Sequence, residues 1–110
     1  MKLKVEKRDE MAEFTPSEFQ GDPIEVMHIF GRSPRELVDD PKNIICACKY
    51  IHDHQSNPVF QKAIYMKQCL KFGSEWIDWA KEAARKSGSG KQLFLLCEFE
   101  EDFYDEHSSY

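Results

Sequence analysis

The sequence predicts a mainly α (α+β) fold: a compact bundle of five or six short helices with a minor terminal β-ribbon. Three observations carry this. Each of the five prolines follows a residue that caps helices, a long central run repeats its apolar residues at helical spacing, and short runs near both ends alternate as strands do. A cap–proline pair starts a helix because the cap oxygen accepts an orphan N–H, while proline at the first position has none to lose and arrives with φ preset.

Taken in order, "KLKVEK" places Leu3 and Val5 on one face of an expected strand. Thr15-Pro16, Asp22-Pro23, Ser33-Pro34 and Asp40-Pro41 then predict helices over about residues 16–20, 23–30, 34–39 and 41–53, and Asn57-Pro58 starts another from residue 58. Glu18, Glu25 and Glu36 stand three residues after their caps, as in a capping box. Gly31 supplies a natural stop for the helix at 23–30. In the helix at 41–53, Ile44, Ala47, Cys48 and Ile51 form the expected buried stripe. The run from Pro58 sets Phe60, Ala63, Ile64 and Leu70, then Trp76, Ile77, Ala80 and Ala83, at helical spacing, with Gly73-Ser74 dividing it into two helices. "SGSG" at residues 87–90 reads as a flexible connector and not as a phosphate loop, since the lysine of "GSGK" precedes a strand-like run. That run, "KQLFLLCEFE", is expected to be the last strand and to pair with the first. No internal repeat is visible.

With 110 residues, 41% hydrophobic and 13% aromatic, the chain has globular composition and is expected to form one domain. No apolar run approaches the roughly 20 residues that span a bilayer. The charged start of the chain has no signal-peptide core, and the four cysteines are expected as reduced thiols in the cytoplasm. The net charge of −5 is concentrated at one end. Residues 98–110 carry six acidic groups and no Lys or Arg, whereas residues 11–97 carry eleven of each sign.

"CACKYIHDH", residues 46–54, raises the question of a metal, since thiolate and imidazole are zinc's preferred ligands. On a helix, residues two apart point about 200° from each other, so Cys46 and Cys48 could not face one ion. Cys48 and His52 share a face, and Cys69 or His28 could complete a site. The alternative is that Cys48 is a small buried hydrophobe and that the histidines favour the helix C-terminus. No metal or cofactor is expected. Catalysis is not expected either: nothing in the sequence lowers a thiol pKa beside His28 or His52, and no glycine-rich turn offers an oxyanion hole.

The acidic–aromatic tail is the expected binding element. Aromatic side chains supply burial at an interface while acids steer association, so Glu100, Glu101, Asp102, Phe103, Tyr104, Asp105 and Glu106 form the expected partner-binding set, with Phe103 and Tyr104 as exposed anchors. The implied protein is a non-catalytic binding module, such as a small inhibitor or adaptor of the viral or phage type. Its implied partner is a larger protein with a basic, nucleic-acid-binding surface. The rival reading is a zinc-stabilised or nucleic-acid-binding domain, with Lys62, Lys67, Lys71, Lys81 and Arg85 near phosphates and Trp76 and Trp79 stacking bases. The acidic tail argues against direct nucleic-acid contact.

Overall fold

A computed structural model describes residues 8–31 and 34–107, the side chains of Glu106 and His107 excepted. The expected strand at Leu3 and Val5 and the cap at Ser33 lie outside those residues. The described chain is compact and mostly helical, with one two-stranded antiparallel sheet. Strand β1 is Ile24–His28 and β2 is Ile44–Cys48, in register from Ile24 opposite Cys48 to His28 opposite Ile44. Four α-helices come after them in the chain: α1, Lys49–Asp53; α2, Pro58–Phe72; α3, Trp76–Lys86; and α4, Gly90–His107.

Four of these assignments correct the sequence expectation. The "PIEVMHIF" segment is strand, not helix, as its β-branched Ile24 and Val26 favour. The expected helix at 41–53 divides into a 3₁₀ turn at Pro41–Asn43, strand β2 and the short α1. In β2, Ile45, Cys46, Ala47 and Cys48 are all buried, because both faces of the strand are covered; such a strand has no alternation to betray it. "KQLFLLCEFE" is the first half of α4, not a strand, so no terminal ribbon forms from it. The α-helices among the described residues number four, not five or six.

The cap–proline pairs start different kinds of element. At Asn57 the Oδ1 accepts from the Val59 N–H at 2.9 Å and opens the fifteen residues of α2, because an apolar stripe is there to be buried. Asp40 caps Lys42 N–H in the same way, at 2.9 Å, yet the turn gives way after Asn43 to β2. Pro16 and Pro34 precede only 3₁₀ turns, Ser17–Phe19 and Arg35–Leu37, and Pro23 leads into β1. Gly73 ends α2 with φ +86°, as the division at Gly73-Ser74 predicts. Residues 87–89 are a hydrogen-bonded turn and not a loose connector, and Gly90 already begins α4. Gly88 sits at φ +74°, its N–H donates to the Arg85 carbonyl, and the Ser89 N–H donates to the Ala84 carbonyl, a Schellman closure of α3.

Helix α4 packs against both α2 and α3. Tyr65 of α2 joins the layers through its ring: Trp76 of α3 and Phe99 of α4 have centroids 5.8 Å away, and Phe30, just past β1, lies at 6.3 Å. Trp76 is buried and Trp79 packs at the core's edge, so neither presents a base-stacking platform. Leu70, expected in the buried stripe, is 73% exposed; Ile64, Tyr65, Gln68 and Cys69 face inward instead.

The sheet is docked on the helices by polar groups. Asn43, fully buried, accepts from the Phe30 N–H at 2.8 Å and donates to the carbonyls of Gly31 and Leu37 at 3.0 and 2.9 Å. Beside it, Trp76 Nε1 and Gln68 Nε2 both donate to the Lys42 carbonyl. Asn43→Ala orphans buried backbone groups and is expected to destabilise by about 2 kcal/mol or more, each lost partner costing about 1–3. Asn43→Asp, of equal size, keeps the acceptor but loses both donated bonds and should also destabilise. Urea midpoints check this; midpoints unchanged in both variants would mean that the amide is not a structural clamp.

Candidate functional site

The acidic C-terminal segment, as far as it is described, is the second half of α4 and not a separate tail. A helix sorts its side chains by phase, and this one sorts the expected binding residues into two sets. Phe99 is buried, and Phe103 packs against the core with its ring 5.7 Å from that of Phe99, which corrects the expectation of an exposed Phe103 anchor. Glu100 also turns inward and binds Lys81 Nζ at 2.5 Å. Glu101, Asp102, Tyr104 and Asp105 turn outward, with Tyr104 50% exposed. The outward set is therefore three carboxylates around one half-exposed phenol, on a helix whose other side is held in the core. The Glu106 side chain lies outside those described.

The five cations proposed as a nucleic-acid face are each already in an ion pair. Lys62 meets Glu98 at 3.8 Å, Lys67 binds Glu13, Lys71 meets Glu10 at 2.6 Å, Lys81 binds Glu100, and Arg85 meets Glu82 at 3.5 Å. The hydrogen bond that Lys81 donates to Glu100 holds its ammonium above its ordinary pKa, and the one that Lys67 donates to Glu13 holds that carboxyl below its own. A phosphate binding there would have to displace carboxylates.

The cysteine–histidine cluster is spread over different environments. Cys46 and Cys48 lie two apart on a strand and so share a face, which overturns the helical-phase argument that separated them. Cys48 is buried with its Sγ 3.4 Å from the Thr15 hydroxyl. His52 sits on α1 with Nδ1 bonded to Glu25 across on β1. His28 Nε2 bonds the Val38 carbonyl at 3.0 Å, and Cys69 is buried in α2. Cys48, His52, Cys69 and His28 are thus not brought together. Among the described residues no group of three or more His, Cys, Asp or Glu side chains is placed to hold a metal ion, and no helix is long and apolar enough to cross a membrane.

Comparison with known families, curated proteins and solved structures found no match to this chain.

The cysteines give two tests of the fold. Only Cys97 is exposed, while Cys46, Cys48 and Cys69 are buried, so Ellman's reagent is expected to titrate one thiol in the native protein and all four in denaturant. Burial also pushes the Cys69 thiol from its ordinary 9.0 up to about 11, and pushes the Tyr65 phenol up as well. For such acids the folded state keeps protons that the unfolded chain gives up, so their contribution is complete below the unfolded pKa and is lost as pH rises through the folded one. The urea midpoint should therefore fall as pH rises from 9.0 toward about 11, and Cys69→Val should shrink that fall. A midpoint that rises over this range would contradict the assignment.

Proposed function

We propose that the protein is a non-catalytic protein-binding module whose docking surface is the outward face of the second half of α4, and that its partner is a larger protein with a basic surface. The observation that supports this most directly is Tyr104, half-exposed beside Glu101, Asp102 and Asp105 while Phe99 and Phe103 anchor the same helix from within. An aromatic held on a rigid helix binds at low entropic cost, and carboxylates around it raise the association rate with a basic partner. The pairing of Lys62, Lys67, Lys71, Lys81 and Arg85 with carboxylates favours a protein partner over nucleic acid, since these basic residues of α2 and α3 are already neutralised.

Truncating the segment is a poor test, because Phe103 is part of the packing and its loss would weaken the fold. Surface substitutions separate the two roles. The full chain, immobilised, is used to capture partners from source-cell lysate at about 50 and about 300 mM salt, and the captured protein is then measured kinetically. Glu101→Lys with Asp102→Lys should slow association, with the difference from wild type narrowing at high salt. Tyr104→Ala should speed dissociation by about tenfold, as truncation of an interface aromatic does. Melting temperatures should stay within a few degrees of wild type. Unchanged rates in both variants would place the interface elsewhere.

A further inference from the structure

Thirteen residues before Tyr104, about 20 Å along α4, the helix borders a two-lobed cleft. The first lobe, about 660 Å³, is lined by Ser56 from the turn before α2, by Pro58 and Gln61 from the start of α2 and by Gly90, Lys91, Phe94 and Leu95 from the start of α4. The second, about 440 Å³, shares Ser56, Gln61 and Lys91 and adds the polar side chains of His52, Asp53, Gln55, Ser89 and Gln92. Each volume lies within the range of roughly 300–1,000 Å³ typical of small-molecule sites, and one lobe is mainly apolar while the other is polar.

We propose that this cleft binds a small anionic amphiphile: a carboxylate or sulfonate carried on a flat aromatic or short alkyl body. The charge is set by Lys91. Among the described residues it makes no ion pair, whereas Lys62, Lys67, Lys71, Lys81, Arg85 and Lys86 all do. Lys91 also stands where the two lobes meet, so an anionic head at its ammonium leaves the body to enter the first lobe. The one carboxylate in the lining, Asp53, is bound by Lys49 at 2.7 Å, and His52 is bound by Glu25, so neither answers the Lys91 charge. The apolar body is set by Phe94, 66% exposed although Leu96 and Phe99 of the same helix are buried, with Pro58 and Leu95 beside it in the lobe. Gln61 has its Oε1 occupied by the Tyr65 hydroxyl at 2.8 Å, which leaves its amide N–H groups to donate to an oxyanion.

The probes are the fluorescent sulfonate 1-anilinonaphthalene-8-sulfonate, 1-naphthoate as competitor and 1-naphthalenemethanol as the neutral analogue. The expected result is one saturable site per chain, displacement of the dye by 1-naphthoate, and binding of the neutral analogue about tenfold weaker, as loss of a charge-assisted hydrogen bond implies. Lys91→Glu and Phe94→Ala, both at exposed positions, should each weaken 1-naphthoate about tenfold with the melting temperature unchanged. Leu70→Ala, which removes an equally exposed apolar side chain from α2, should leave binding as it was. Backbone amide shifts on adding 1-naphthoate should centre on Ser56, Gln61, Lys91 and Leu95. The proposal is overturned by the absence of saturable binding, by equal affinity for the neutral analogue, by insensitivity to Lys91→Glu and Phe94→Ala, or by an equal loss in Leu70→Ala. None of these readouts involves Tyr104, so the result is independent of the protein-binding reading.

Discussion

The structure depends on the buried side chain of Asn43. Fifteen residues separate the ends of the paired strands, and among the described ones only two short 3₁₀ turns, Arg35–Leu37 and Pro41–Asn43, hold their own backbone groups. The Asn43 amide satisfies three of these groups at once, at Phe30, Gly31 and Leu37, while its own backbone carbonyl accepts from the Ile29 N–H at 2.8 Å. Buried backbone groups left unpaired are costly, so this closure is what allows Phe30 and Leu37 to sit in the core. The neighbouring carbonyls of Lys42 and Ile44 then receive Trp76 Nε1 and Gln68 Nε2, which dock α3 and α2 against the same turn. Gln68 Oε1 is left buried without a partner, and we have no physical account of it.

A second constraint ties the layers by charge. Glu10 and Glu13 reach Lys71 and Lys67 on α2, and Glu98 and Glu100 on α4 reach Lys62 and Lys81 on α2 and α3. Each exposed pair contributes little to stability. Their consequence is for function: Lys62, Lys67, Lys71, Lys81 and Arg85 on α2 and α3 are answered internally, while Glu101, Asp102 and Asp105 stay exposed on one face of α4. The acidity that looks like a tail in the sequence is divided between a structural share and an outward one.

Part of this was legible in the residues. The Asn57-Pro58 start, the inward Ile64, Trp76, Ile77, Ala80 and Ala83, and the break at Gly73 are local signals, and tertiary packing agreed with them. For α4 a usable signal was present: the segment from residue 91 to 107 contains no β-branched residue, and Leu96, Phe99 and Phe103 recur at helical spacing. The glycines just before it mask that pattern, because the same break suits the start of a strand. Of the candidate site, the acidic and aromatic composition was visible, but the division between Phe103 and Tyr104 requires a helix phase that a strand assignment cannot supply. The cleft at Lys91 and Phe94 joins residues over thirty apart and had no local signature.

What the sequence by itself determined was what neighbouring residues settle among themselves: where caps and glycines start and stop α2 and α3, that the fold is mainly helical, and that negative charge gathers at the C-terminal end. Only the tertiary structure decided whether "IEVMH" and "IICAC" are strand or helix. Each is a five-residue run whose local preference is weak, and each becomes a strand because the other is there to satisfy its backbone N–H and C=O groups, a partner about twenty residues away that no local pattern reports.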